Sequence, residues 1–341
     1  MDDTMFFRNK KILIIGGTGT IGSSLVKTLL PKGVSVIRVL SRDEYKQYFM
    51  MEQMKDIKNI RFLLGDVRDY DRINRAMEDI DIVFHAAALK HVPACEYNPF
   101  EAVKTNVIGT QNVIEAAIHN NVEKVIFTST DKTIGPTNTY GATKLLAERL
   151  ISAADYYKGS HRTIFAAVRF GNVMGSRGSV IPLFKQQILQ GNPITITDPE
   201  MSRFMMTLTE ATNLTIEACK RAQGGELFIL KMPVVRLHDL AEVVIEEMSE
   251  KYNLDPDKIR IVKTGLRPGE KMYEELMTYE ESKYAIEFDN MFAVPPLFNH
   301  KTYEYSDGRQ AARQTYSSHD IEPISKEELR RLILQEKLLD S

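Results

Sequence analysis

Cysteine is nearly absent from this 341-residue chain, which has only Cys95 and Cys219. Two thiols so far apart give neither a disulfide framework nor a zinc pattern, and no metal site is expected. A reducing compartment is the simple reading. Long apolar runs are also missing. Nothing approaches the roughly 18 residues of a membrane-spanning helix, so no membrane partner is expected. The first eleven residues are polar apart from Phe6 and Phe7 and lack the apolar core of a signal peptide. The expected location is therefore cytoplasmic. Finally, neither charge sign dominates. Lys and Arg number 44, Asp and Glu 46, and the formal net charge is −2. That balance excludes a broad nucleic-acid-binding surface. Any phosphate recognition must come from a few placed side chains and backbone donors.

What is present has the composition of an ordinary globular protein, 43% apolar and 26% charged. Short apolar runs at 11–15, 34–40, 60–64, 82–85, 125–128 and 163–169 predict six strands. Helical spacing lies between them, at 21–30, 102–119 and 140–154. Alternating strand and helix predicts an α/β fold, a Rossmann-type doubly wound parallel sheet with ligands at the carboxyl ends of its strands. After Arg169 the alternation weakens. Residues 171–182 are glycine-rich, 191–199 read as a loop, 228–235 as a strand and 235–250 as a helix. Residues 255–270 are polar and end in a second glycine turn, and 291–307 show little periodicity. The expected division is a dinucleotide-binding domain at 1–172, with returns from about 203–246. A smaller interleaved substrate-binding lobe and tail would take 173–202 and 247–341.

The first predicted strand runs into Gly16, Gly17, Thr18, Gly19, Thr20, Ile21 and Gly22. Glycines at 16, 19 and 22 allow a tight turn, a close backbone approach to a pyrophosphate, and close helix packing. The following helix would aim its N-terminal N–H groups at the phosphates. No Gly-Lys-Ser/Thr follows, which excludes a Walker loop. After the second strand an acidic residue often meets the ribose. Here Ser41 and Arg42 stand instead, with Lys46 further on. A hydroxyl and a guanidinium suit a 2′-phosphate, so NADP is expected over NAD; the alternative is an Arg42 that merely faces solvent. Asp66 and Val67 follow the third strand, where an aspartate meets an adenine edge or simply makes a turn. Ala86 and Ala87 follow the fourth and let the backbone pass close to a cofactor.

The fifth strand leads into Thr130, Asp131 and Lys132, and Tyr140 and Lys144 follow four positions apart. On a helix that spacing shares a face. An ammonium beside a phenol lowers the phenol's pKa and makes it a usable base. Lys144 can also hold a nicotinamide ribose, and Thr130 can hydrogen-bond a hydroxyl under oxidation.

The glycine loop, Asn106 in its Thr-Asn-Val-Ile-Gly-Thr setting, Thr130, Tyr140 and Lys144 together resemble the extended short-chain dehydrogenase/reductase family. More narrowly, the motifs around 88–93, 129–133, 169–180 and 267–271 resemble the soluble UDP-N-acetylglucosamine 4,6-dehydratases. The likeness covers roughly residues 10–280. It implies an NADP cofactor, held by the residues above together with Asn106, and a UDP-sugar substrate. It also implies Asp131 as the acid for a departing 6-hydroxyl and Lys132 as the base at carbon 5. Burial would raise the aspartate's pKa and lower the lysine's, while their mutual attraction opposes both shifts. Some members carry methionine at the position of Tyr140; tyrosine groups this chain with the soluble ones and leaves the carbon-5 configuration open. For the substrate, Lys90, His91 and Asn172 would meet the sugar or its diphosphate, and Arg177, Arg203 and Arg267 the phosphates. Val180 and Pro182 would wall the uracil, and Glu270 would accept from ribose hydroxyls. Met201, Met205 and Met206 read as core. A homo-oligomer is expected. A 4-epimerase on the same fold, and a non-catalytic dinucleotide sensor, are the alternatives.

Overall fold

The aliphatic, β-branched runs become strands that are buried on both faces, as a parallel sheet under two helix layers requires. A computed structural model describes residues 3–176, 178–296 and 302–340. Its first six strands are β1 (Lys11–Ile15), β2 (Val36–Ser41), β3 (Ile60–Leu64), β4 (Ile82–His85), β5 (Lys124–Thr128) and β6 (Ile164–Arg169). They pair in parallel in the order 3-2-1-4-5-6, the doubly wound arrangement. The order reverses between β1 and β4. Ligands bind at such a switch point because the flanking loops diverge there.

Ten strands follow around and beyond this sheet: β7 (Asn172–Val173), β8 (Ile194–Ile196), β9 (Ser202–Met206), β10 (Leu227–Leu230), β11 (Val234–Arg236), β12 (Ile261–Lys263), β13 (Glu275–Met277), β14 (Ile286–Glu287), β15 (Met291–Val294) and β16 (Arg309–Gln310). A short β17 (Tyr316–Ser317) comes last. β10 adds to β6 in parallel; β15, β14 and β16 then continue the main sheet antiparallel. The run 291–307, read from sequence as irregular, thus contains a core strand whose four residues are all buried. The run 191–199, read as a loop, contains β8. The run 228–235 is two strands, because Pro233 sits between them and proline cannot donate to a ladder. The stretch 102–119 is also not one helix. Pro99–Ala102 and Gly109–His119 flank a wide π turn at Val103–Ile108.

Two apolar cores result. The larger spans the main sheet and its helices. The smaller joins the helices Val180–Leu189, Leu237–Tyr252 and Lys326–Gln335 through Phe184, Val244 and Ile333. No helix among the described residues is long and apolar enough to cross a membrane.

Candidate active site

At the end of β1 the chain turns at once through Gly16, whose φ is +80°. A Cβ there would lie 2.8 Å from the Ala87 nitrogen and 2.9 Å from the Ala86 carbonyl carbon. Glycine therefore lets this loop lie against the backbone that follows β4. Thr18 Oγ1 and Ser41 Oγ, 2.8 Å apart, tie the loop to the end of β2. The helix Thr20–Leu29 then begins with Gly19 at its N-cap, which supplies no side-chain cap. First-turn N–H groups without a cap are an anion site. Ile21 and Gly22 turn inward and pack on the core.

Arg42 lies just past β2, its side chain 54% exposed and its guanidinium 3.8 Å from Asp66. Asp66 also accepts from Arg68 at 2.7 Å. Burial works against the Asp66 charge, but the Arg68 hydrogen bonds hold its carboxyl below the usual range. Lys46 is ion-paired with Asp43. The cradle fits a nicotinamide dinucleotide. Two of the expected cofactor residues also have structural partners. The Val67 side chain is buried against Gly109, and its carbonyl accepts from Asn112. Asn106 is 1% exposed and spends its amide on both backbone groups of Leu89 and on Thr143 Oγ1. It fixes the loop after β4 to the helix Thr139–Tyr157.

Next to this cradle the end of β5 presents the catalytic candidates. Thr130 caps a single turn, Asp131–Thr133. Thr130 Oγ1 donates to Asp131 Oδ1 at 2.9 Å, and Lys132 Nζ donates to the same oxygen at 3.0 Å. Tyr140 opens the next helix and is hydrogen-bonded to Thr130. Burial pushes the Tyr140 phenol up, while Thr130 and the Lys132 charge pull it back. The nearby cation acting on the phenol is thus Lys132, where the sequence pointed to Lys144. Lys144 is 2% exposed, donates to the Thr128 carbonyl at 2.6 Å and lies 3.8 Å over the Phe127 ring. Burial pushes its ammonium down to about 7, against the pull of Glu148.

Of the two opposed effects read from the sequence at Lys132, attraction outweighs burial. Burial disfavours its charge, but Asp131 and Glu274, the latter at 3.6 Å, more than offset this and hold the ammonium above the ordinary lysine range. Glu274 was not singled out in the sequence. It is 5% exposed, and burial raises its carboxyl above the usual range, opposed by Lys132.

Lys132 and Glu274 stand on the wall of a cavity of about 350 Å³ between the two cores. Asn172, Val180, Arg203, Arg267 and Glu270 also line it, as expected from the sequence. Pro182 does not; it is exposed while Ile181 and Leu183 form that wall. Nor do Lys90 and His91, which are exposed beside it, with the His91 ring against Gly178. Arg177 lies outside the described residues. Arg203 is largely spent: its guanidinium donates to the carbonyls of Ser202, Lys271 and Met272. It holds the loop that carries Glu274. Arg267 keeps its guanidinium exposed, and Glu270 accepts from the Arg267 N–H at 3.2 Å. Met201, Met205 and Met206 are buried, as read.

Comparison with known proteins follows the same lines. The model of a family described as polysaccharide biosynthesis protein matches residues 12–296. The chain is 52% identical to an uncharacterized membrane protein of Methanocaldococcus jannaschii, over 97% of each chain. It is 43% identical to a UDP-N-acetylglucosamine 4,6-dehydratase (inverting) of Campylobacter jejuni, over 85% of this chain and 84% of that one. It is 40% identical to a UDP-glucose 4-epimerase of Rickettsia rickettsii, over 96% of each. Among solved structures, Pen from Bacillus thuringiensis superposes with a TM-score of 0.92 at 58% identity, covering 98% of this chain and 100% of that one.

Proposed function

Because the chain belongs to the polysaccharide biosynthesis protein family, of extended short-chain dehydrogenase/reductase type, we propose that it is an NADP-dependent UDP-N-acetylglucosamine 4,6-dehydratase. The observation that carries this reading is the charged set Asp131, Lys132 and Glu274 beside Tyr140, with Lys132 and Glu274 facing the cavity. Moving a hydride needs only the Thr130, Tyr140 and Lys144 set. Removing water across carbons 5 and 6 needs an acid and a base as well.

Tyr140 takes the proton of the 4-hydroxyl, and Thr130 holds that oxygen. An NADP held there would supply the hydride acceptor for carbon 4 and the hydride donor for carbon 6. Lys144 and the glycine loop keep the cofactor in register. The ketone at carbon 4 acidifies the proton on carbon 5, and the charged set carries out the elimination. Arg267 and Glu270 hold the nucleotide end, and Asn172 the sugar or diphosphate. The product is a 4-keto-6-deoxy sugar nucleotide, and the cofactor ends unchanged.

The Rickettsia relative favours a second reading, a 4-epimerase. The two differ in product mass. Purified enzyme given NADP and UDP-N-acetylglucosamine should release a product lighter by one water, with no net NADPH. Proton NMR in deuterated water should show deuterium at carbon 5. A product of unchanged mass establishes epimerisation and overturns the dehydratase reading.

A further inference from the structure

Asp131 is poorly placed to touch a sugar. It is 1% exposed, and its Oδ1 already accepts from Thr130 and Lys132. Its Oδ2 lies on the Gly171 side, buried and without a hydrogen-bond partner among the described residues, and Asp131 is not one of the residues that line the cavity. The carboxylate that lines the cavity beside Lys132 is Glu274. Its backbone is pinned from both sides: its N–H donates to Ser318 Oγ at 3.0 Å, and its carbonyl accepts from the Ser318 N–H at 2.9 Å. Arg203 grips the carbonyls of Lys271 and Met272, three and two residues before Glu274. A group held this firmly against an ammonium in a cavity wall is arranged for proton transfer.

We propose that Glu274 is a catalytic residue that accepts the carbon-5 proton, with the Lys132 ammonium donating to the departing 6-hydroxyl. This rests on the dehydratase reading above. The C5–H bond breaks and its proton goes to a Glu274 oxygen. Its electron pair forms the C5=C6 double bond. The C6–O pair leaves with the hydroxyl, which takes a proton from Lys132 and departs as water. The Glu274 proton then crosses to Lys132 and restores both groups. On hydride return to carbon 6, carbon 5 takes a proton from water, and the proton held by Tyr140 returns to water. Asp131 positions Lys132 throughout. The raised proton affinity of Glu274 suits its role as the base.

The test is one turnover of the NADP-loaded enzyme with UDP-N-acetylglucosamine in deuterated water, comparing wild type with Glu274→Gln and Glu274→Asp. In Glu274→Gln the near-ultraviolet absorbance of reduced cofactor should rise as in wild type. Water loss and deuterium entry at carbon 5 should slow by about 10²–10⁴-fold. Glu274→Asp should recover at least about tenfold of that loss. Wild-type elimination should also fall on the acid side as Glu274 protonates; Lys132, Asp131, Arg203 and Lys271 are the charged groups that face it. The glutamine variant should lack that limb. Elimination within about threefold of wild type in Glu274→Gln overturns the proposal. So does equal slowing of oxidation and elimination, which marks a structural role. Wild-type enzyme that yields only a product of unchanged mass fails the dehydratase reading itself, and the proposal with it.

Discussion

Lys144 is a cation with almost no solvent around it. Burial brings its proton release down to about 7 in the folded chain, against about 10.5 for a free lysine. Between those values the unfolded chain binds more protons, so this residue makes stability rise with pH. Below pH 7 both states are protonated, and the burial cost is present in full. The slope approaches about 1.4 kcal/mol per pH unit between the two pKa values. Urea unfolding of cofactor-free wild type and Lys144→Met should therefore diverge in favour of wild type as pH rises from about 7 to about 10. A difference that stays flat with pH rejects a charge cost at Lys144. Arg42 is the opposite case, a cation mostly in water with only a 3.8 Å ion pair. Arg42→Asp should move preference from NADP towards NAD by at least about tenfold, the effect of losing a charge-assisted contact of about 1.5–3 kcal/mol. Competitive cofactor titration reads this directly, and an unchanged NADP preference removes Arg42 from the site.

Among the elements, the helix Thr139–Tyr157 does most to assemble the site. Asn138 caps it by accepting from the Gly141 N–H at 2.9 Å. Thr137 and Asn138 both donate to the Gly269 carbonyl and so bind the helix start to the cavity rim. A Cβ at Gly141 would lie 2.2 Å from the Lys132 carbonyl oxygen. Two effects compete in Gly141→Ala. Helix propensity favours alanine by about 1 kcal/mol. Overpacking against a backbone atom costs about 1–3 kcal/mol, and the turn bearing Lys132 must shift. The clash should win: a lower melting temperature, and elimination slowed by at least about tenfold as Lys132 leaves its place. Wild-type turnover in this variant would show that the turn has room to move. At this scale the parallel strands β1–β6 and β10 were legible, because a buried parallel strand is a continuous apolar run. The break at Val103–Ile108 was not, because the apolar spacing continues across it while Asn106 turns to bond Leu89.

Across the whole molecule the two halves are tied by a buried charge network. Arg169, 1% exposed at the end of β6, pairs with Glu148 of the Tyr140 helix and with Glu281 of the C-terminal half. It also donates to the Leu276 carbonyl, one residue pair beyond Glu274. Ser129 Oγ completes Glu148 at 2.7 Å. Arg169→Ala would leave two carboxylates without their cation and should cost about 3–5 kcal/mol. Denaturant unfolding should show it as a lower midpoint; a loss under about 1 kcal/mol would mean that water or lysine replaces the guanidinium. The sequence by itself determined the doubly wound sheet, the glycine loop and the Thr130, Tyr140 and Lys144 set. Each of these is written in local periodicity or in spacing along one turn or helix. Tertiary structure alone decided that Glu274 meets Lys132, that Arg203 holds backbone carbonyls, and that Pro182 misses the cavity. Such pairings join residues far apart in the chain. They depend on how the lobe's strands and the tail close over the sheet, and that closure leaves no period in the sequence.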